Sequence, residues 1–130
     1  MTLCKSWQLL LIDDDEDEFV LFSSLIENIN ERSIKIRWVD SLLHGQLEVQ
    51  NNRYDAVFVD YDLGGHQNGL DFIHKVRLSN HSLPLILYTG RNEHTLNHQA
   101  YIVGASCYLH KASVNPELLK HILTCLIKHN

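Results

Sequence analysis

Cysteine is scarce in this chain and never closely spaced: Cys4, Cys107 and Cys125 are its 3 thiols, and no CxxC pair occurs. That argues against a disulfide framework and fits reduced packing residues in a cytosolic setting. Basic residues are also few, since 11 Lys and Arg face 16 Asp and Glu for a formal net charge of -5. No stretch gathers the cations on one face, which speaks against a nucleic-acid surface driven by bulk electrostatics. Long apolar runs are missing. Nothing approaches the roughly 20 residues of a membrane span, and one Lys before a short apolar run falls far short of a signal sequence. The chain is expected to be soluble and cytoplasmic, with no nucleic-acid or membrane partner. Repeats, linkers and low-complexity segments are absent too. A chain of 130 residues makes one ordinary domain, with no room for a second.

What the chain does have is a set of short apolar runs, and several of them end in polar residues of one chemistry. Leu9 to Ile12 ends in Asp13 and Asp14; Val57 to Val59 in Asp60; Leu85 to Tyr88 in Thr89; Cys107 to His110 in Lys111. As neighbouring parallel strands about 4.8 Å apart, these runs would open all of those groups onto one sheet edge. Leu9 to Ile12 and Ala56 to Val59 are continuously apolar, as strands covered on both faces must be, and belong at the sheet centre. By contrast Ile34, Ile36 and Trp38 alternate with Lys35 and Arg37, the mark of an edge strand with one wetter face.

Helical patterns separate the runs. Asp15 with Glu18 reads as a capping box, followed by Phe19, Phe22, Leu25, Ile26 and Ile29 on one face, with an end near Asn30. Leu42 to Gln50 is a weaker helix, and Leu70, Ile73, Val76 and Arg77 continue a better one from Asn68 and Gly69. Asn92 to Val103 is strongly polar, with Leu96, Ala100 and Val103 facing inward, and is expected to be the least firmly held. The last helix takes Asn115 as cap and Pro116 at its first position, then buries Leu118, Leu119, Ile122, Leu123, Leu126 and Ile127. Strands alternating with helices in one small domain imply an open parallel sheet with right-handed crossovers, whose ligands sit beyond the carboxyl ends of the strands.

Carboxylates converging from two adjacent strands repel by about 4 kcal/mol per pair at about 4 Å and an effective dielectric of 20. Asp13, Asp14 and Asp60 therefore invite a divalent cation, and oxygen ligands at a shallow site suit Mg²⁺ or Mn²⁺. Asp60 is a candidate nucleophile toward phosphorus, with Lys111 as the balancing cation. Thr89 offers a hydroxyl to the same phosphoryl oxygens, and the small Gly90 leaves room beside it. Asp15 reads as a cap rather than a ligand, while Glu16 and Asp17 face water. An EF-hand fails because the sixth loop position lacks Gly. His94 and His98 share a helical face at a spacing some zinc sites use but bring no third ligand. Trp7 and Trp38 read as cover for the sheet.

The stretches LLLIDDDEDE, YDAVFVDYDLGG, NGLDFIHKVR, LILYTG and VGASCYLHKAS, taken together, resemble the response-regulator receiver domain of two-component phosphorelay signalling over essentially the whole chain, residues 1–130. The resemblance implies a three-layer flavodoxin-like α/β fold, a (βα)5 unit with a five-stranded parallel sheet in the order 2-1-3-4-5. It further implies that Asp13 and Asp14 are the acidic metal pair, Asp60 the phosphorylated aspartate, Thr89 the switch hydroxyl and Lys111 the family's lysine. By the same resemblance the backbone carbonyl of Asp62 is a metal ligand and Tyr108 stands at the aromatic switch position, although simple packing would also account for Tyr108. The partners implied are a histidine kinase or histidine phosphotransfer protein and a downstream protein target, the domain itself being a monomer or a phosphorylation-dependent dimer without an output domain of its own.

Two departures from the family pattern stand out. Ala112 replaces the usual Pro after the lysine, and since a cis bond before a non-proline residue costs about 2.5 to 4 kcal/mol, a trans loop is expected there. Leu63, Gly64 and Gly65 replace a Leu-Pro, giving a more flexible loop. Arg91, two residues after Thr89, is placed to pair with Asp62 across the site mouth and slow attacking water, making the two rate-tuning residues. Two other readings remain. The stretch from Val57 to Asp62 also resembles the first motif of haloacid-dehalogenase-type phosphatases, although there the nucleophile precedes the acidic pair. A phosphatase would sustain turnover of an exogenous phosphate ester; a receiver would not. A degenerate receiver acting only as a docking module is the second.

Overall fold

In the computed structural model, which describes residues 6–29 and 33–127, strands and helices alternate along the chain. Strands β1 (Trp7–Ile12), β2 (Ile34–Val39), β3 (Ala56–Val59), β4 (Leu85–Thr89) and β5 (Cys107–His110) form one parallel sheet in the order 2-1-3-4-5. Between and after them come α1 (Glu16–Glu27), α2 (Leu42–Asn51), α3 (Gly69–Arg77), α4 (His94–Val103) and α5 (Pro116–Leu126). This is the three-layer flavodoxin-like arrangement expected from the sequence. No helix among the described residues is long and apolar enough to cross a membrane. Cys4 lies outside the described residues.

The apolar runs of the inner strands resolve into two alternating sets because successive side chains point to opposite faces. Leu9, Leu11, Ala56, Phe58, Ile86 and Tyr88 pack against α1 and α5 through Phe22, Ile26, Leu119 and Leu123. Leu10, Ile12, Val57, Val59, Leu85 and Leu87 pack against the other helices through Phe72, Ile73, Val76, Leu96 and Ala100. Both faces are dry, so each buried Leu, Ile or Phe contributes on the order of 1.5–3 kcal/mol. Strand β2 is an edge, with Lys35 and Arg37 exposed and the intervening residues partly covered.

Local signals set the helix starts. Asn115 Oδ1 accepts from the Leu118 N–H at 2.8 Å, with Pro116 at the first helical position. Asn68 and Asp71 form a reciprocal capping box at α3, Asn68 Oδ1 accepting from the Asp71 N–H at 3.1 Å and Asp71 Oδ2 from the Asn68 N–H at 2.8 Å. At α1 the expected box is half right. Asp15 caps the helix by accepting from the Asp17 N–H at 2.9 Å, but its own N–H is taken by Asp13 Oδ1 at 3.0 Å and Glu18 is turned elsewhere. The helix stops at Glu27 with Asn28 as its cap; Asn30, its expected end, lies outside the described residues. At α4 Glu93 makes no side-chain cap, but Leu96 and Ala100 are buried, as many residues as α1 or α5 buries, whereas α2 buries only Gly45; α4 is therefore not the least firmly held helix.

Two features of the loops bear on the site. Gly64 and Gly65 both adopt left-handed backbone, with φ of 71° and 75°, which side chains resist. Gly69 admits α3 against the end of β3, because a Cβ there would lie 2.4 Å from the Asp60 carbonyl oxygen. Gly69→Ala is therefore expected to destabilise the fold by about 1–3 kcal/mol in urea unfolding, since backbone must move. At Gly90 an added Cβ meets nothing within 4 Å, and Gly90→Ala is expected to change stability by no more than about 0.5 kcal/mol.

Candidate functional site

Strand register brings the acidic residues together. Ile12 pairs with Val59, so Asp13 and Asp60 emerge side by side, and the Asp60 N–H donates to the Ile12 carbonyl at 3.0 Å. Carboxylate oxygens of Asp13, Asp14 and Asp60 lie within 4.8 Å of one another, and no other trio of His, Cys, Asp or Glu gathers in this way among the described residues. His94 and His98 thus find no third ligand there. Asp13 is 1% exposed and Asp60 8%, whereas Asp14 lies open to solvent.

Asp13 is held at every polar atom. Its N–H donates to the Val39 carbonyl at 3.1 Å, its own carbonyl accepts from Trp38 Nε1 at 2.8 Å, and its Oδ1 accepts from the Asp15 N–H at 3.0 Å. The remaining oxygen, Oδ2, accepts from Lys111 Nζ at 2.8 Å. Lys111 arrives from the end of β5, where residues Lys111–Ser113 make a single 3-10 turn and no described peptide bond is cis, as expected with Ala112 in place of Pro. Its ammonium also stands 3.4 Å from Asp60 Oδ2 and 3.6 Å from Glu18 Oε2. Burial pushes the Asp13 carboxyl above its usual range despite the Lys111 bond. For Lys111 burial opposes the charge, but the Asp13 hydrogen bond and the surrounding carboxylates outweigh it and raise the pKa, so the ammonium persists.

One atom at the centre has no partner: Asp60 Oδ1 is buried and accepts no hydrogen bond among the described residues. A buried carboxylate oxygen left bare costs several kcal/mol unless a cation or donor meets it. Together with the all-oxygen donors of Asp13 and Asp14, this orphan fits a hard divalent cation. Thr89 is fully buried at the end of β4, and its Oγ1 accepts from the Arg91 N–H at 3.3 Å, leaving its own proton to be donated.

A second cluster stands at the mouth. Arg91 grips Asp62 with two bonds, Nε to Oδ2 at 2.7 Å and Nη2 to Oδ1 at 2.8 Å, the pairing expected from the sequence. Its guanidinium lies 4.7 Å over the Tyr61 ring and 3.4 Å from Glu93. With Arg91 44% and Asp62 53% exposed, solvent screens the pair and it contributes little to stability. Tyr108 packs on the core cluster that includes α3 and α4 residues, and its hydroxyl donates to the Arg91 carbonyl.

Three contacts escape a linear reading. Glu18 joins Lys111 instead of closing a capping box, Trp38 bonds the Asp13 carbonyl besides stacking over the sheet edge, and His110 Nε2 bonds the Gly90 carbonyl at 3.0 Å. The excess of carboxylates over the single ammonium has a measurable consequence. Asp60→Asn is expected to raise the unfolding free energy in metal-free buffer by about 1–2 kcal/mol, less than the roughly 4 kcal/mol of a carboxylate pair because attraction to Lys111 is lost too. Thermal unfolding with EDTA or with a divalent cation checks this; the cation should stabilise the parent more than the variant.

Comparison with known proteins agrees with the geometry. The family model described as the response regulator receiver domain matches residues 9–123. The response regulator RppA of Synechocystis sp. is 29% identical over 117 residues, 88% of this chain but 48% of that protein, so the chain spans about half its relative's length. Among solved structures, a two-component response regulator from Clostridium difficile superposes with TM-score 0.79 at 23% identity, covering 92% of this chain and 94% of its own. The BeF3-activated N-terminal receiver domain of Klebsiella pneumoniae RstA gives TM-score 0.81 at 16% identity over 94% and 99% of the two chains. At these identities the structures share the fold.

Proposed function

The chain belongs to the response regulator receiver family, whose members are signalling domains rather than classical enzymes, and on that premise we propose that Asp60 accepts a phosphoryl group. The donor is a phosphohistidine on a histidine kinase or histidine phosphotransfer protein. An Asp60 carboxylate oxygen attacks phosphorus, the P–N bond breaks, and the departing imidazole takes up a proton; later a water attacks the acyl phosphate and returns carboxylate and inorganic phosphate. Asp13, Asp14, Asp60 and the backbone carbonyl of Asp62 hold Mg²⁺ or Mn²⁺. The ion, when bound, neutralises phosphoryl oxygens and favours in-line attack. Lys111 balances the remaining charge and Thr89 donates its hydroxyl to a phosphoryl oxygen. The observation that carries this reading is the buried Asp60 Oδ1, unpartnered among the described residues, on a carboxylate gathered with those of Asp13 and Asp14 and bonded through its other oxygen to Lys111.

Residues 1–130 act as one cytoplasmic receiver domain, monomeric or dimerising on phosphorylation. Output passes through contacts on the face of α4, β5 and α5, which Thr89 and Tyr108 reposition when the phosphoryl group arrives. The absence of a side-chain cap on α4 and the exposure of Tyr101 and Ile102 on it, 79% and 66%, support that choice. The position of the acidic pair on β1, ahead of the β3 nucleophile, favours this reading over a haloacid-dehalogenase-type phosphatase.

Two experiments follow. A small phosphodonor with Mg²⁺ should add one phosphoryl group in intact-mass spectra, and both EDTA and Asp60→Asn should abolish it; labelling that survives the substitution unchanged defeats the assignment. Arg91→Ala tests the mouth. Opening an exposed ion pair costs little, so its loss should speed dephosphorylation by about two- to fivefold. An unaltered rate excludes the gate.

A further inference from the structure

The hydrogen bond from Trp38 reaches the acidic site from the edge of the sheet and takes no part in phosphoryl transfer. Its indole N–H meets the Asp13 carbonyl at 2.8 Å, while the ring stacks on Phe19 of α1 with centroids 5.1 Å apart and planes 7° from parallel. The next residue, Val39, accepts the Asp13 N–H at 3.1 Å. The end of β2 therefore holds both backbone groups of Asp13.

The consequence falls on Asp14. The Asp13 carbonyl and the Asp14 N–H share one rigid peptide plane, so the indole orients that plane. The following plane contains the Asp15 N–H, which Asp13 Oδ1 pins at 3.0 Å. Between the two pinned planes lie only the two soft torsions of Asp14 itself. Asp14 is exposed, and among the described residues no hydrogen bond holds its carboxylate. Its place within 4.8 Å of the oxygens of Asp13 and Asp60 is thus inherited from the backbone.

We infer that Trp38 is a positioning residue for the acidic group: its indole N–H fixes the peptide between Asp13 and Asp14, and so aims the one solvent-open carboxylate at the cation. The Phe19 ring covers one face of the indole, a packing contact separate from the N–H bond. Packing alone would not require the donor, since any large apolar side chain could cover Phe19. Outer-shell hydrogen bonds of this kind tune the ligands they orient without touching the ion. The inference rests on the reading of Asp13, Asp14 and Asp60 as a cation site.

Mn²⁺ binding to the full chain, followed by titration calorimetry and by the signal of free Mn²⁺ in electron paramagnetic resonance, tests it. Trp38→Phe keeps an aromatic over Phe19 and removes the N–H, and should weaken Mn²⁺ binding about tenfold. Phe19→Leu removes the stack and keeps the N–H; it should lower the thermal midpoint yet bind Mn²⁺ as the parent does. Benzothienylalanine placed at position 38 alone, with sulfur where the N–H was, should reproduce the loss seen in Trp38→Phe and decides the matter if that variant folds poorly. Parent-like affinity in both position-38 variants overturns the inference, as does an equal loss in Phe19→Leu. A parent chain that binds no Mn²⁺ overturns the cation reading itself, and the inference with it.

Discussion

One ammonium balances the carboxylates that the sheet forces together. Lys111 stands within 3.6 Å of Asp13, Asp60 and Glu18, and its nearest partner is Asp13. The strands cannot relax the repulsion, because the residues behind each carboxylate are buried in two dry layers. Sliding an inner strand by one residue would exchange its two apolar sets and force both layers to repack. The core therefore enforces the clustering, and Lys111 makes it tolerable. That arrangement leaves Asp60 with one oxygen paired to Lys111 and one bare among the described residues.

The same constraint explains why the site is built on backbone as much as on side chains. Asp13 is anchored at its N–H, its carbonyl and both carboxylate oxygens. Asp60 is anchored through its N–H to Ile12, and Gly69 presses α3 onto its carbonyl. Stability and chemistry pull in different directions here: the scaffold fixes groups whose mutual charge works against the fold. The outer pair of Arg91 and Asp62 carries no comparable burden, being exposed and nearly neutral in stability.

Much of this is legible in the chain itself. The central strands announce themselves by continuous apolar runs, and β2 by the alternation of Ile34, Ile36 and Trp38 with two cations. Asn68 and Asn115 mark helix starts because their caps are local, closed within three residues. Asp13, Asp14, Asp60, Thr89 and Lys111 stand out because each follows an apolar run. Glu18 does not, since its local pattern promises a capping box and its partner comes from the far end of the chain. Trp38 is hidden for a similar reason. An aromatic on an edge strand reads as cover, and nothing in its neighbours reveals that the indole N–H finds a carbonyl on another strand.

The alternation on β2 has one more consequence, for chains meeting other chains. An edge strand leaves a row of backbone donors and acceptors open to any extended segment that drifts alongside. On β2 the solvent-facing positions are Lys35 and Arg37, both exposed. A second strand zipping onto this edge would have to strip water from those cations and, if it were another copy of β2, set like charges near one another. The strand that completes the sheet thus also discourages its extension, although its other end bonds directly to Asp13.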